Sequence, residues 1–438
     1  MVEKKKIITQ KIYVRGDFIV KEYQLGGRVF FRKEKSVKKV RYAIGKMSVT
    51  FKSHPKIKPL SSAPVYKKII DIFLQRRSSS KNIVLIFHNF SVTGAPLALF
   101  KIAMLLGEEG YGVLCVSPYA GHLEEQLREK RLDYLVIPHV QEMREKDYKF
   151  LFAGFDLAIC NTYVGAYSAW KLQDILPTFL YIHEASDGIV NMTTQLENSV
   201  VGYPITELLP KVKHIACVSD FAASFYKPYS QNPIEIIPNF VEDVKLPYSR
   251  KDTDVIQIGY IGAIDPFIKK TDLLCASFEK LRMQYKNIEL HLIGNLKTPY
   301  AQMLQKKYTE QVVWHGELTG TEKDSVLGDF DIVAVPSLSE SCSLVALEAA
   351  AASKALIITE NVGAKYVFEA GKSALICKAD DEKSLCACLE QFINDRNLRD
   401  NLGRQARAAY EKFATKEHTK ARLITVIHQV LAQDRKKA

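Results

Sequence analysis

The sequence predicts an α/β protein with two doubly wound parallel-sheet domains facing a cleft, preceded by a basic N-terminal appendage. From residue 82 onward, short apolar runs alternate with helix-like stretches, which is the pattern of strand–helix–strand crossover units. The runs are almost continuously apolar, as expected for strands that have helices on both faces. The polar stretch Glu242–Asp254 divides the runs into two series, so we predict two domains.

The predicted strands of the first series are Asn82–Phe87, Gly112–Ser117, Leu132–Pro138, Phe155–Thr162, Pro177–His183, His214–Ser219 and Pro233–Asn239. Those of the second series are Val255–Gly262, Ile288–Gly294, Gln311–Gly316, Phe330–Ser337, Ala355–Thr359 and Ala374–Lys378. A chain of 438 residues is too long for a single core. We predict an appendage over residues 1–81, sheet domains over 82–243 and 244–415, and a C-terminal helix over 416–438 that packs back on the first domain.

The positive charge of the chain is concentrated at its N-terminus. Residues 1–82 contain 22 Lys and Arg against 5 Asp and Glu, whereas the remainder contains 39 against 44. Such a segment attracts anionic partners, either a membrane surface or nucleic acid. Because no nucleic-acid-binding module accompanies it, we expect no nucleic-acid partner and favour an anionic membrane surface bound through residues 1–80.

The appendage is predicted to contain short strands and one helix. The strands are Ile7–Val14, Phe18–Tyr23 and Val29–Phe31, with Gly26-Gly27 as a break. Apolar residues at helical spacing over Val65–Arg77 predict the helix, and Ser78–Ser80 predicts a linker.

The cysteines and the N-terminus indicate a cytoplasmic protein. The 8 cysteines are scattered, mostly in apolar runs, without a C-x-x-C pair. This pattern indicates buried thiols rather than disulfides or a zinc site. The first residues lack the apolar core of a secretory signal, and no apolar run approaches the roughly 20 residues of a membrane-spanning helix. We expect a cytoplasmic protein, peripheral at the inner face of the membrane.

A glycine-containing turn follows the first predicted strand. Thr93-Gly94-Ala95-Pro96 precedes a helical pattern. In open α/β sheets ligands bind at the carboxyl ends of the strands, and a helix N-terminus offers free N–H groups to an anion. Alternatively, Gly94 serves only the backbone angles of a strand-to-helix turn.

Two glutamates flank a predicted helix start in the second domain. An alanine-rich helix is expected to begin near Ser343, which can cap it. Glu340 then lies in the preceding loop and Glu348 lies more than one turn inside the helix. The amides of Leu344 and Val345 would lie between the two carboxylates, an arrangement that suits the phosphate and hydroxyl groups of a nucleoside-diphosphate sugar. Alternatively, both glutamates are simply solvated.

The pair Glu340 and Glu348, preceded by Pro336-Ser337, resembles the E-x7-E motif of family 4 glycosyltransferases, which are retaining enzymes of the GT-B fold. The resemblance extends over about residues 82–415. Three shorter segments also resemble parts of the family. Thr93–Pro96 resembles a phosphate-side loop of a bacterial subgroup, and Tyr181–Glu184 resembles a loop whose histidine lines the sugar site. Ile237–Asn239 resembles an element that closes the first domain.

The resemblance implies roles for the matching residues. Glu348 would bind the ribose hydroxyls, Glu340 would bind the donor sugar, and the amides of Leu344 and Val345 would bind the phosphate. His183 would line the sugar site, although a structural pair of this histidine with its neighbouring glutamate is the alternative.

The glycines and lysines of the second domain complete the implied donor site. Gly262 would lie against the diphosphate, and Gly294 would lie near the base. Lys269 would bind the diphosphate if one residue is inserted relative to the family, and Lys270 is the alternative. A solvated lysine pair is the simplest other interpretation.

Three residues depart from the family pattern. Ala263 stands where many members have arginine, Val367 stands where the family has an acid, and Phe240 follows Asn239 where the family has glycine. These departures motivate a second interpretation, a non-catalytic GT-B partner subunit that supports an active glycosyltransferase.

The favoured function is transfer of a sugar from a nucleotide-diphosphate sugar to a glycan or lipid-linked acceptor in bacterial cell-surface polysaccharide or glycoconjugate synthesis. The scheme needs no cofactor and no metal. Asp329-Phe-Asp331 is a D-x-D sequence, but it opens a predicted strand at the end opposite the cleft, so we do not expect it to bind a metal.

Overall fold

The computed structural model describes residues 8–15, 18–25, 28–35, 39–44, 47–52, 57, 59–77, 81–185, 202–243 and 254–435. In residues 8–52 only the backbone is described.

The described strands are β1 (Ile8–Arg15), β2 (Phe18–Leu25), β3 (Arg28–Lys35), β4 (Lys39–Ile44), β5 (Met47–Lys52), β6 (Asn82–Ile86), β7 (Gly112–Ser117), β8 (Asp133–Val136), β9 (Leu157–Asn161), β10 (Thr178–Ile182), β11 (Ile215–Cys217), β12 (Ile234–Ile236), β13 (Ile256–Ile261), β14 (Ile288–Ile293), β15 (Val312–Gly316), β16 (Ile332–Val335), β17 (Ala355–Thr359) and β18 (Leu375–Cys377).

The described helices are α1 (Ala63–Arg76), α2 (Gly94–Glu108), α3 (Leu123–Glu129), α4 (Glu145–Phe152), α5 (Ala166–Leu172), α6 (Ile205–Leu208), α7 (Asp220–Tyr226), α8 (Thr271–Gln284), α9 (Pro299–Lys307), α10 (Gly320–Asp329), α11 (Leu344–Ala351), α12 (Glu382–Asn394), α13 (Arg396–Phe413) and α14 (Lys416–Arg435).

The N-terminal strands form a five-stranded antiparallel sheet in the order β1-β2-β3-β4-β5. Strands β4 and β5 were not predicted, because their mixed apolar and basic sequences, KVRYAI and MSVTFK, lack a continuous apolar run. The predicted break at Gly26-Gly27 and the predicted linker Ser78–Ser80 lie outside the described residues.

Every apolar run of the two predicted series contains a strand. Strands β6 to β12 form a seven-stranded sheet in the order β12-β11-β10-β9-β6-β7-β8, and β13 to β18 form a six-stranded sheet in the order β15-β14-β13-β16-β17-β18. The pairs β6/β7, β6/β9, β13/β14 and β13/β16 are parallel. The prediction of two parallel-sheet α/β domains is therefore confirmed.

Each sheet has one point where the strand order reverses. In the seven-stranded sheet the chain builds outward from β6 through β7 and β8, then returns to the other side of β6 with β9. In the six-stranded sheet the same reversal lies between β13 and β16. Connections on the two sides of such a point run to opposite faces, which leaves a crevice at the carboxyl ends of the strands.

At the opposite edge of each sheet, where the strands begin, the two strands at the point of reversal are joined by a hydrogen bond from a backbone N–H to a carboxylate. The Asn82 N–H donates to Asp156 Oδ2 at 2.7 Å, and the Asp156 N–H returns a bond to the Asn82 carbonyl. In the second sheet Gln257 and Asp331 repeat this pair, with the Gln257 N–H 2.9 Å from Asp331 Oδ2. Asp331, the second acid of the D-x-D sequence, therefore joins two strands.

Helices cover one face of the six-stranded sheet with a continuous apolar core. Ile258 and Leu290 on the sheet belong to the same buried cluster as Phe278 of α8 and Phe392 of α12. Burial of this size is the dominant stabilising contribution to such a fold.

The chain divides into two compact units. One comprises residues 1–180, 187–213 and 229–232, and the other comprises 181–186, 214–228 and 233–438. Within the second unit, Thr419 Oγ1 of α14 donates to the Pro238 carbonyl at 3.0 Å. The domain boundaries drawn from the sequence, including the placement of residues 416–438, remain predictions.

All 8 cysteines are free thiols, and 7 of them are buried. Burial raises the pKa of the Cys115 and Cys160 thiols, so they stay protonated. The prediction of buried thiols without disulfides is confirmed. Among the described helices, each is too short or too polar to cross a lipid bilayer.

Candidate active site

The predicted donor-binding residues of the second unit gather at the reversal between β13 and β16. One loop runs from the end of β13 to α8 and contains Gly262 and Lys269. A second loop runs from the end of β16 to α11 and contains Glu340. Because the two strands are neighbours, both loops leave the same edge of the sheet.

Two glycines allow the backbones to approach closely at this edge. A Cβ atom at Gly294 would lie 2.2 Å from the Gly262 carbonyl oxygen. Because this oxygen belongs to the backbone, a change of side-chain rotamer could not relieve the clash. Gly262 itself has a φ of +154°, which side-chain-bearing residues rarely adopt. The structure thus places these two predicted residues in contact and explains why both are glycine.

The loop after β13 is held in place by a single carboxylate. Asp265 Oδ1 accepts the backbone N–H groups of Phe267, Ile268 and Lys269 at 2.9, 2.7 and 3.2 Å. The Ile268 carbonyl in turn accepts the Leu338 N–H at 2.7 Å, which joins this loop to the loop after β16. These bonds fix the backbone from which the Lys269 side chain extends.

Lys269 and Glu340 form an ion pair. The Lys269 Nζ lies 2.9 Å from Glu340 Oε1, with 26% and 15% of the two side chains exposed. The other oxygen, Glu340 Oε2, accepts the Ser337 hydroxyl at 2.9 Å. The structure therefore brings together one cation and one carboxylate that were predicted to act on the donor.

Lys270, the alternative diphosphate-binding lysine, lies in a different environment. Its Nζ is 2.8 Å from Asp380 Oδ1, and its backbone has a left-handed φ of +52° at the start of α8. The change in backbone direction at this residue sends the adjacent lysines to different partners. Contact with Glu340 favours Lys269 over Lys270.

Helix α11 begins where the sequence predicts. Ser343 is its N-cap, and its hydroxyl accepts the Ala346 N–H at 3.2 Å. The N–H groups of Leu344 and Val345 belong to the first turn, where a helix offers no internal acceptor. Both residues are only partly buried, so the start of the helix presents amide donors suited to an anion.

Glu348 lies one turn further along α11 and is paired with a lysine that the sequence analysis missed. Lys323 Nζ on α10 lies 2.6 Å from Glu348 Oε1, with about a fifth of each side chain exposed. Each predicted donor-site carboxylate therefore has a lysine as its partner.

The loop that carries Glu340 packs tightly against a neighbouring turn. The Gly363 N–H donates to the Glu340 carbonyl at 2.6 Å, and the Glu340 N–H donates to the Asn361 carbonyl at 3.1 Å. A Cβ atom at Gly363 would lie 1.7 Å from the Ser341 carbonyl oxygen, which also accepts the Ser219 hydroxyl at 2.6 Å. This packing requires a glycine at 363.

Gly94 lies at the start of α2 in the first unit. Its φ is not positive, and a Cβ atom there would meet no atom within 4 Å. The alternative interpretation, a glycine required by its backbone angles, is therefore wrong.

His88, directly after β6, is largely buried, and burial lowers its pKa from 6.5 to about 4. The imidazole is neutral at pH 7.

His183 follows β10 and is only 7% exposed. Its ring contacts the Tyr181 ring edge-on at 4.3 Å between centroids. Glu184 Oε2 accepts the His183 backbone N–H at 3.3 Å, so Glu184 bonds to the backbone of its neighbour. Tyr181 is fixed in turn because its hydroxyl donates to the Ile237 carbonyl at 2.8 Å.

The structure shows the surroundings of the three residues that depart from the family pattern. Ala263 is exposed, and its carbonyl accepts the hydroxyl of Tyr260, whose pKa is raised by burial. Val367 and Phe240 are buried at 5% and 3% exposure, so both act as core side chains. No acid stands in the place of Val367.

Asp265, Ser337 and Lys323 are the contributors that sequence reasoning missed. Asp265 precedes a proline in a short loop, a combination that favours a side-chain-to-backbone turn and could have identified it. Ser337 was noted only as part of the motif, although it lies three residues before Glu340, and Lys323 acts through a tertiary contact and carries no local signal.

Two family models match the chain. One, described as glycosyl transferases group 1, matches residues 243–409, and the other, described as glycosyl-transferase family 4, matches residues 79–258. The first match contains all strands of the six-stranded sheet, and the second contains all strands of the seven-stranded sheet.

The curated proteins that are similar to the chain include two glycosyltransferases. Sulfoquinovosyl transferase of Arabidopsis thaliana is 28% identical over 163 residues, which cover 36% of this chain and 30% of the relative. The capsular polysaccharide biosynthesis glycosyltransferase of Staphylococcus aureus is 26% identical over 175 residues, which cover 38% of this chain and 45% of the relative. The chain spans less than half the length of either relative.

The HepE protein of Anabaena, solved in complex with UDP and glucose, shares the fold. The TM-score is 0.65 at 15% identity, over 79% of this chain and 99% of that chain. The chain has the GT-B fold, as its two parallel-sheet domains and its structural likeness show, and the two family matches support a glycosyltransferase of that fold.

Proposed function

We propose that the chain transfers a glycosyl group from a nucleoside-diphosphate sugar to a glycan or lipid-linked acceptor, with retention at the anomeric carbon. The observation that carries this proposal is the pair of Lys269 and Glu340, 2.9 Å apart at the β13/β16 reversal. A lysine suited to a diphosphate there adjoins a carboxylate suited to sugar hydroxyls. HepE, which has a similar fold, was also solved with UDP-glucose, and this likeness supports a nucleoside-diphosphate sugar as the donor.

The proposed chemistry separates an anomeric carbon from a diphosphate oxygen. The transition state resembles an oxocarbenium ion, and negative charge develops on the leaving diphosphate. The Lys269 ammonium and the first N–H groups of α11, at Leu344 and Val345, would stabilise that charge. Because Lys269 and these amides would supply the charge stabilisation that the leaving diphosphate needs, the scheme requires no metal and no cofactor. The acceptor hydroxyl would form the new C–O bond on the face that the diphosphate leaves and pass its proton to the departing diphosphate, with His183 lining the sugar site.

The proposed setting is the synthesis of bacterial cell-surface polysaccharide or glycoconjugate. The relative from Staphylococcus aureus, named for capsular polysaccharide biosynthesis, supports this setting. The surplus of basic residues in 1–82 supports a cytoplasmic enzyme at the inner face of an anionic membrane, where a lipid-linked acceptor would lie.

A donor screen tests the proposed function. The purified chain is mixed with nucleoside-diphosphate sugars of different base and sugar, and thermal stability and donor hydrolysis are recorded. A ligand that binds the folded chain raises the melting temperature by mass action. We expect one donor to do so and to be hydrolysed slowly, with both effects lost in Glu348→Ala. No response to any donor would contradict the proposal.

A second candidate function is a non-catalytic GT-B partner that supports an active glycosyltransferase. The exposed methyl group of Ala263 and the buried side chain of Val367 favour it, because neither supplies the charge that the family pattern has there. Hydrolysis that depends on Glu348 would exclude this candidate. Donor binding without hydrolysis, combined with activation of an added glycosyltransferase, would favour it.

A further inference from the structure

Helix α1 packs on the first unit through one of its faces. Ala63, Ile70 and Phe73 are buried, and the Phe73 ring stacks on Phe155 with 5.8 Å between centroids. This face fixes the orientation of the helix on the unit.

A second apolar stripe of α1 faces solvent. Val65, Ile69 and Ile72 are 61%, 43% and 57% exposed. Their spacing of four and three residues places them in one line along the helix. The three exposed branched side chains therefore form a continuous apolar strip on the helix.

Basic side chains border this stripe. Lys68 is exposed beside it, and Arg76 continues the line one turn beyond Ile72 with 62% of its side chain exposed. Arg77 follows with 47% exposed. Long basic side chains can lay their stems along apolar surface and keep their charges at its edge.

A cavity of about 440 Å³ lies at the C-terminal end of α1. Its wall contains the cations Arg77, Lys130 and Arg131 and the acids Glu108 and Asp133. Asp133 already accepts the Arg76 guanidinium at 2.9 Å and lies 3.8 Å from that of Arg77, which neutralises it. The remaining charge of the wall is positive, so the cavity suits an anionic group.

We propose that α1 and this cavity form a binding site for an anionic phospholipid surface. Val65, Ile69 and Ile72 would enter the layer just below the lipid headgroups, while the cavity would take a headgroup phosphate. Apolar insertion combined with basic attraction is the chemistry by which interfacial helices bind anionic membranes. The inference rests on the proposed membrane attachment and assigns it to particular side chains.

Co-sedimentation of the full chain with vesicles tests the stripe. Vesicles of phosphatidylcholine alone are compared with vesicles of equal parts phosphatidylcholine and phosphatidylglycerol. Ile69→Ser/Ile72→Ser is compared with Met283→Ser/Met303→Ser, which removes two apolar side chains that are 65% and 52% exposed in the second unit. We expect the α1 variant to bind the anionic vesicles at least about tenfold more weakly and the control to bind like the parent.

A second pair of variants tests the cavity. Arg77→Gln/Lys130→Gln should reduce the preference for anionic over neutral vesicles by about tenfold or more. Lys280→Gln/Lys372→Gln removes two exposed, ion-paired lysines of the second unit and should keep the preference. Unchanged melting temperatures confirm that the variants fold. Stabilisation by free glycerol 3-phosphate, without any vesicle binding, would identify a soluble phosphate ligand and overturn the lipid site.

The outcomes separate this inference from the proposals on which it rests. If the parent chain fails to bind anionic vesicles, the membrane attachment and the site are both wrong, while donor hydrolysis still tests the transferase. If the parent binds and the α1 variant binds equally, only the site is wrong. If light scattering shows a dimer that the α1 variant abolishes, the stripe joins two copies and the lipid site is overturned.

Discussion

Lys269 Nζ lies 2.9 Å from Glu340 Oε1, where the loops after β13 and β16 meet. In this arrangement the ammonium and the carboxylate satisfy each other. A bound nucleoside-diphosphate sugar would offer the lysine a diphosphate and the glutamate a sugar hydroxyl. The ion pair would then be exchanged for two contacts to the donor, with the Asp265 turn keeping the lysine backbone in place.

Replacement of Lys269 tests this exchange. Lys269→Met removes the charge that stabilises the leaving diphosphate, and we expect donor hydrolysis to fall by about 100-fold or more. Lys280→Met on α8 is the control, because its partner is Glu382 and 66% of its side chain is exposed. Steady-state hydrolysis measures both. An effect of Lys270→Met larger than that of Lys269→Met would contradict the assignment.

Replacing Glu348 and replacing Glu340 should affect the binding of UDP and of UDP-glucose differently. Glu348→Gln and Lys323→Met should each weaken binding of UDP by about tenfold, because Glu348 would accept the ribose hydroxyls and Lys323 orients it. Glu340→Gln should leave UDP binding nearly unchanged and weaken UDP-glucose. Titration calorimetry with UDP and UDP-glucose distinguishes these cases. Equal losses for both ligands in all three variants would contradict the division of roles.

Gly294→Ala should destabilise the fold. The added Cβ atom would lie 2.2 Å from the Gly262 carbonyl oxygen, so the ends of β13 and β14 must move apart, which costs about 2 kcal/mol or more of unfolding free energy. Gly94→Ala is the matched control, since its Cβ atom would meet nothing within 4 Å. Urea unfolding of both variants measures the difference. Similar stabilities would show that the close approach is not required.

His88 should make the fold sensitive to acid. Burial lowers its pKa from 6.5 to about 4, so the folded chain resists protonation more than the unfolded chain does. The stability that it contributes is complete above pH 6.5 and is lost as the pH falls towards 4. Between pH 7 and pH 4.5 the parent should lose about 2–3 kcal/mol more than His88→Gln, measured by urea unfolding at both pH values. Parallel losses in the two proteins would show that His88 titrates normally.

The sheet strands were predictable because their burial on both faces leaves continuous apolar runs such as Val255–Gly262 and Ala355–Thr359. The start of α11 was predictable because Ser343 and the alanines after it act locally. Glu348 was identified, but its partner Lys323 was not, since α10 meets α11 only through the tertiary fold. The choice between Lys269 and Lys270 likewise depends on one left-handed residue, which the sequence does not reveal.

A crystal structure of the chain with UDP tests the central claim most directly. We expect diphosphate oxygens within about 3 Å of the Leu344 and Val345 amides and of Lys269 Nζ, with the ribose hydroxyls on Glu348. A nucleotide bound away from the start of α11, with Lys269 still paired to Glu340, would contradict the account.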